Sequence, residues 1–359
     1  MKIAAFADLH AHPFESFAHT LEGGINSRLA DCIKALEEII KYCRENDIRH
    51  IINAGDTFHV KSIINVTAFN AVFRVISQAD DLKWHMIPGN HDFATEDGKE
   101  HSLEAFSVLR HVNIYNTPAE TTYTLHGESP LQLTFIPFIR NKKELAKTLR
   151  EMPLYPRHHH ILVGHQYISD LTRLAFKKEG DFEAKDLAAW DMVLMGHYHV
   201  HGIVETTPYA GKRGASIISI GAPLQHNFGD RGHKKGFVVI DTEELTCQHI
   251  PIKTAPAFKA FEGVSAIIPE DVAGHFVRVR VTGEKEAKRA RMALEKAGAS
   301  DYTIEMIPTS KEARIELDPG LDDAAILKKY ISSEWGATTL DPDELLKVGL
   351  EYLKGAIPT

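Results

Sequence analysis

The chain has 359 residues, 43% of them apolar and 25% charged, so it can bury a sizeable core and is too long for one average domain. A net charge of −8 argues against a general nucleic-acid coat protein, without excluding a nuclease whose positive charge is local or supplied by metal ions. Three cysteines, Cys32, Cys43 and Cys247, make no disulfide framework and point to reduced thiols in a cytosolic compartment. The opening segment, MKIAAFADLHAH, carries only a short apolar run before Asp8. It is too brief for a secretory leader or a membrane span, and a soluble protein with no membrane association is expected.

In chain order, KIAAFA reads as a buried strand ending at Asp8. SRLADCIKALEEIIKYCREN places Leu29, Cys32, Ile33, Leu36, Ile39, Ile40 and Cys43 at helical spacing, with Asn26 or Ser27 as its cap. RHIINAG is the next strand, ending at Gly55-Asp56. VTAFNAVFRVISQA suits a helix, and KWHMIPGNHD a strand running into a loop at Gly89. HILVGH, DMVLMGH, SIISIGAP and GFVVID are short apolar runs of strand type. This mixed order predicts an α/β fold of stacked sheets flanked by helices.

Proline and lysine interrupt the strand pattern around residues 251–261. Beyond them HFVRVRV alternates, with Val277, Val279 and Val281 on one face and Arg278 and Arg280 on the other. EKEAKRARMALEKAG is an amphipathic helix stopped at Gly298, and YTIEMIP a further strand, together a small βαβ-like unit. DDAAILKKYISSEW and DPDELLKVGLEYLKG predict two short amphipathic helices. The expected division is a catalytic domain over 1–250, a small domain over 251–310 and a helical segment over 311–359. No internal repeat or low-complexity stretch interrupts it.

Chemistry gathers at the strand ends. They carry Asp8 and His10 (DLH), Asp56 (GD), Asn90, His91 and Asp92 (GNHD), His165 (GH), and His197 and His199 (GHYH). Four of the groups are marked by a glycine, which would let the backbone turn sharply. Loops at strand ends are where α/β folds assemble sites, so seven or more oxygen and nitrogen donors can converge. Their mixture suits Mn²⁺, Fe²⁺ or Zn²⁺ rather than an all-oxygen cage. One carboxylate shared by two ions about 3.5–4 Å apart fits in-line displacement at phosphorus, and Asp56, between two ligand groups in sequence, is the natural bridge. Singly, Asp8 or Asn90 reads more often as a turn or cap residue, and His165 as an ordinary loop histidine; together they favour a metal centre. In MGHYHVH the alternate spacing would place three imidazoles on one face of an extended chain. His201 falls outside the set and reads as solvated or as lying behind the ligands. His158, His159 and His160 read as a surface cluster.

In order, these five groups resemble the motifs of the calcineurin-like metallophosphoesterases over roughly residues 1–240. The resemblance implies a four-layer sandwich, two stacked mixed sheets flanked by helices, with a small α+β capping domain and a helical C-terminal tail. It assigns Asp8, His10, Asp56 and His199 to one metal, and Asp56, Asn90, His165 and His197 to the other. Two divalent ions per chain are implied, Mn²⁺ ahead of Mg²⁺, Fe²⁺ or Zn²⁺. His91 is then no ligand but the group that protonates the leaving alkoxide, oriented by Asp92 or a nearby carboxylate.

Two further stretches resemble the SbcD-type DNA repair nucleases. One is GDTFH, where His59 would help place the scissile phosphate. The other is GAPLQHNFGDRGHKKGFVVID, in which Ala222 stands where the family's turn has serine. That resemblance implies exonuclease action on double-stranded DNA ends, endonuclease action on single-stranded or hairpin DNA, and a role in recombination and repair. It also implies a homodimer, an SbcC-type ATPase partner docked on the terminal helices, and the cytoplasm, or the host cytoplasm for a phage-encoded member. Arg231, Lys234, Lys235, Arg278 and Arg280 are candidate DNA contacts. Lys285, Lys288, Arg289 and Arg291 form either a phosphate-facing or a merely solvated helix surface. Two alternatives stay open: another phosphodiesterase or phosphatase of the same fold, and a non-catalytic scaffold built on it.

Overall fold

Lys2–Phe6 (β1) is a nearly unbroken apolar run because both its faces are covered. Ala4 and Phe6 pack toward helices on one side, while Ile3 and Ala5 pack toward a second sheet on the other. The structure is a computed structural model that describes residues 1–359 except 97, 125–128, 172–182, 207–213, 308–320, 333–340 and 357–359. In the first sheet, β1 runs parallel to His50–Asn53 (β2), which pairs with Lys83–Met86 (β3), and that with Val112–Ile114 (β4). On the other edge of β1, Gly236–Asp241 (β11) and then Thr246–Pro251 (β12) run antiparallel.

The second sheet is also mixed. It orders Ala119–Tyr123 (β5), Leu131–Ile136 (β6), His159–His165 (β7), Met192–Gly196 (β8), Ser216–Ser219 (β10) and Gly202–Glu205 (β9), with β6 to β10 parallel across the centre and antiparallel strands at both edges. Between the sheets lies a core of Ile3, Ala5, Ile52, Leu133, Phe135, Val163, Leu194 and Ile218. Helices Ser27–Glu45 (α1) and Val66–Ser77 (α2) close the outer face of the first sheet through Leu36, Ile39, Val72 and Ile76. Lys142–Glu151 (α3) covers the second through Leu145. The result is two mixed sheets flanked by helices, as expected from sequence.

Asn26, not Ser27, caps α1: its side chain accepts from the Leu29 amide at 3.1 Å. Cys32 and Cys43 are buried on that helix, and all three cysteines are free. No element is expected from sequence between Gly89 and His159, yet β4, β5, β6 and α3 all lie there. The strand β6 hides behind its polar residues. Gln132 is fully buried, with its amide donating to the Pro153 carbonyl at 2.6 Å and accepting from the Tyr155 amide at 2.9 Å.

The stretch read as an interruption around 251–261 holds a strand of its own, Phe258–Glu262 (β13). It pairs in parallel with Phe276–Val281 (β14), which neighbours Asp301–Met306 (β15). Glu284–Ala297 (α4) links the last two, and Val277, Val279, Val281, Ala290 and Leu294 make a separate small core. An aromatic seam joins this sheet to the main body. Phe258 and Phe276 pack with Phe17 and Phe228 at ring separations of 4.9–5.9 Å.

The chain separates into two compact units, Met1–Val281 with Glu286–Glu305, and Thr282–Lys285 with Met306–Thr359. The second contains Asp323–Ser332 (α5) and Pro342–Ala356 (α6), packed on each other where Gly349 meets Leu327. The division expected at 310/311 falls outside the described residues. Among the described residues no helix is long and apolar enough to cross a membrane.

Candidate metal centre

The strands β1, β2 and β3 are parallel, as are β7 and β8, so their C-terminal ends deliver Asp8, Asp56, Asn90, His165 and His197 to one place. The turns are made by the donors themselves. Asp8, His10, Asp56 and His197 all hold left-handed backbone, at φ of 56°, 46°, 54° and 87°. Such strain of about 1–3 kcal/mol per residue persists only where the surroundings fix it. Here they do: the amides of Asp8 and His10 bond the carbonyls of Gly55 and Asp56 at 2.9 and 3.0 Å.

The marker glycines serve this differently from the sequence expectation. Of Gly55, Gly89, Gly164 and Gly196, only Gly55 has a positive φ, of 97°. Gly89 and Gly196 are needed for close approach, since a Cβ would overlap the Asp56 carboxylate at the first and the Ala54 carbonyl at the second.

Two sets of donor tips face one another. In one, His10 Nε2 lies 3.1 Å from His199 Nε2 and 3.6 Å from Asp56 Oδ2, with His199 Nε2 3.9 Å from Asp8 Oδ1. In the other, His165 Nε2 lies 3.3 Å from Asp56 Oδ2 and 3.2 Å from Asn90 Oδ1, which is 2.8 Å from His197 Nδ1. The same Asp56 oxygen belongs to both sets. Its partner Oδ1 is held by the His91 amide at 2.7 Å.

Neighbouring donors bound at about 2.1 Å to one ion sit roughly 3.0–3.4 Å apart, which the His10–His199, His165–Asp56 and His165–Asn90 spacings match, while the Asn90–His197 contact has the length of a hydrogen bond. The histidine tautomers agree. His165 Nδ1–H donates to the Ala54 carbonyl at 2.8 Å, leaving Nε2 as the donor facing the centre. The sets Asp8–His10–His199 and Asp56–His165–His197 could each hold a metal ion.

The electrostatics show the same demand for positive charge. Burial pushes the Asp8 carboxyl up to about 7, against the pull of His165. Burial also acts on Asp56, but His165 and His10 outweigh it and hold that carboxyl well below the usual range. His165 is correspondingly raised to about 9 by Asp56 and Asp8, against its own burial.

A cavity of about 620 Å³ opens over the cluster, walled by His12, Phe14, His59, His91, Tyr167 and His226 among others. His91 Nδ1 donates to the His59 carbonyl at 2.6 Å, which orients the ring. Asp92 does not perform that task. Its two oxygens accept from the amides of Thr57, Phe58 and Gly89 and from the Ser102 hydroxyl at 3.0–3.2 Å, tying the β2 and β3 loops together. The His59 ring stacks on His91 at 5.7 Å, and burial with neighbouring His91 lowers it to about 4.

His197 and His199 leave the strand at Gly196 rather than continuing along one face, and so reach different donor sets. His201 turns away, donating to the Ser219 carbonyl at 3.0 Å and packing 4.4 Å from His249. The run His158–His160 is no surface cluster: His160 is buried at the start of β7, bonded to the Tyr155 carbonyl at 2.9 Å.

His226 and Arg28 were not foreseen. His226 Nε2 donates to the Asp8 carbonyl at 3.0 Å, and its ring lies 5.2 Å from both His10 and His199. Arg28 is 3% exposed, donating to the carbonyls of Ser16 and His226 while three rings, Phe14, Phe258 and Phe276, surround its guanidinium at 5.0–5.1 Å. Neither stands at a strand end, where the motif reading looked.

The candidate DNA contacts divide. Arg231 and Lys234 are exposed. Lys235 is an internal strut: its side chain is 8% exposed, and its ammonium donates to the His199 carbonyl at 2.6 Å and to Asp230 at 2.9 Å. Arg278 and Arg280 both pair with Glu305 at 3.0 Å, and Arg278 lies 3.9 Å over the Phe228 ring. Both pairs are partly exposed, so water competes for them.

The family model for calcineurin-like phosphoesterases matches residues 1–201. Exonuclease subunit 1 of Enterobacteria phage T4 is 24% identical over 326 residues, covering 88% of this chain and 90% of that protein. Among solved structures, a dimetal phosphatase from Danio rerio aligns with 68% of this chain and 93% of its own, at 9% identity and a TM-score of 0.39.

Proposed function

This chain belongs to the calcineurin-like phosphoesterases, a dinuclear metal-dependent family, and from that premise we propose that it is a DNA nuclease of the SbcD type. The observation that carries the chemistry is the single Asp56 oxygen facing both donor sets. The choice of DNA is supported by the likeness to a phage exonuclease subunit across nearly the whole of both chains.

In this reading Asp8, His10, Asp56 and His199 hold one divalent ion, and Asp56, Asn90, His165 and His197 the other, with Mn²⁺ as the expected pair. When bound, the two ions supply an activated water and neutralise charge developing at phosphorus. The His91 ring, fixed through Nδ1 by the His59 carbonyl, presents Nε2 to the leaving oxygen and delivers its proton, a contribution of about 10²–10⁴-fold. His59 lines the cavity as a neutral imidazole and donates to a phosphate oxygen. Asp92 keeps the two loops in register. Residues 1–250 carry the reaction, 251–310 cap the site and steady DNA, and 311–359 dock an SbcC-type ATPase. The functional form is a homodimer working in the cytoplasm, the host's if the gene is a phage's.

The test is release of nucleotides from end-labelled linear duplex DNA with Mn²⁺ and with chelator. Mn²⁺-dependent release that is lost in His91→Asn supports the reading. Turnover of a simple phosphomonoester with none of DNA, even with an ATPase partner present, would instead make this a phosphatase of the same fold. His59→Ser should slow exonucleolytic release with metal content intact; an unchanged rate removes His59 from the mechanism.

A further inference from the structure

A larger cavity, of about 970 Å³, adjoins the metal cavity, and Asn90 lines both. It lies on the His165 side of the centre, where the Phe138 ring stands 6.5 Å from His165. The metal cavity is also walled by Phe14 and Arg28, and Arg28 packs on Phe258 and Phe276 of the three-stranded sheet. A polynucleotide is a line: with one phosphate at the metals, the strand must leave in two directions. The walls of the second cavity suit one of them. Phe93 and Phe138 are half-buried rings, and Lys61 and Arg140 are exposed cations beside them. Glu96 and Glu144 also line it, but the Arg140–Glu96 pair, at 3.0 Å, is exposed at both ends, so water already competes for it and a phosphate can replace it.

We propose that this second cavity is a subsite for the unpaired nucleotide next to the scissile phosphate, its base stacked on Phe93 or Phe138 and its phosphate met by Lys61 and Arg140. The proposal rests on the nuclease reading and extends it. Aromatic rings beside cations are the chemistry that holds single-stranded nucleic acid without reading its sequence. A base can lie on such a ring only after leaving its own stack, so the strand here is single. This gives the enzyme a place to part the end of a duplex while the cap side holds the rest.

The experiment compares hydrolysis of a single-stranded oligothymidylate with that of bis(p-nitrophenyl) phosphate, which has neither a flanking base nor a second phosphate. For Lys61→Ala/Arg140→Ala, the oligonucleotide-to-ester ratio of kcat/KM should fall. The salt dependence of oligonucleotide binding should flatten by about 0.7 in its log–log slope, the change expected when one phosphate on a single strand loses its cations. Phe93→Leu keeps an apolar side chain in place and should lower the same ratio by roughly 5- to 100-fold, the loss expected of one stacked base. If the wild type cleaves DNA and both variants keep its ratio and salt slope, the subsite is wrong while the nuclease reading stands. If the wild type hydrolyses the ester but no DNA, the nuclease reading falls and takes the subsite with it.

Discussion

Among the described residues, histidines gather around Asp56 and a pair of them, His50 and His85, lies buried with tyrosines elsewhere; the first group has the make-up of a reaction centre and the second does not. Around Asp56, imidazole tips face each other and share two buried carboxylates. The other cluster lies at His85, fully buried between β2, β3, β5 and β6. There His85 Nδ1 meets the Tyr115 hydroxyl at 3.0 Å, and Nε2 meets Tyr123 and His50 at 3.2 Å. Phe135 stacks on His85 at 5.5 Å and on Tyr115 at 4.0 Å. Hydroxyls satisfy this second set, no carboxylate joins those contacts, and none of its residues has left-handed backbone. Buried histidines in contact therefore do not by themselves mark a site. Converging donors, buried carboxylates and a strained backbone together do.

The comparison breaks most sharply at Asp56. Asp56→Asn removes the charge shared by both donor sets, and each ion is worth several kcal/mol to the transition state. Turnover should fall on the order of 10⁴-fold or more, and metal content, read by mass spectrometry of the purified protein, should drop well below two per chain. A variant that keeps both ions and wild-type turnover would end the bridging role. His91→Asn sharpens the distinction between holding metal and moving protons. It should retain the ions and lose about 10²–10⁴-fold in turnover; loss of the metal instead would make His91 a ligand. Gly196→Ala is smaller and indirect: its Cβ meets the Ala54 carbonyl and the His165 ring. A backbone shift there costs about 1–3 kcal/mol of stability, visible as a lower Tm, and weakens metal retention on the His165 side.

Much of this was legible in sequence because strands buried on both faces are continuous apolar runs, and the motif residues follow them directly. The spacing of Asp8, Asp56, Asn90, His165 and His197 tracked strand ends, and the parallel sheet did the rest. What escaped reading was set by contacts between distant segments. His226 reaches Asp8 across 218 positions, and Arg28 meets Phe258 and Phe276 only because the small three-stranded sheet folds back on α1. Lys235 stood in a basic stretch, and no local pattern says that Asp230 and the His199 carbonyl absorb its charge. The strand β6 escaped because Gln132 and Thr134 broke its apolar run, although both are buried.

The smallest expected effect belongs to the second histidine cluster and separates it from the first by pH. Burial, with His50 and Lys83 nearby, lowers His85 from 6.5 to about 3. Between those values the unfolded chain takes up a proton that the native state refuses. Native stability from this group is therefore complete above the unfolded value and is lost as pH falls below 6.5. The slope is at most about 1.4 kcal/mol per pH unit. His85→Gln cannot titrate. It should lose about 1–3 kcal/mol at neutral pH through disrupted hydrogen bonds, yet its Tm should fall less steeply than the wild type's between pH 6.5 and 4.5. The cluster around Asp56 titrates alike in both proteins and cancels in the difference, provided chelator is present in both. Parallel Tm profiles would mean that His85 stays accessible to protons in the native state, and the closed, satisfied character assigned to its cluster would be wrong. A flatter profile with unchanged metal content and turnover would show that a cluster of this density contributes to packing alone.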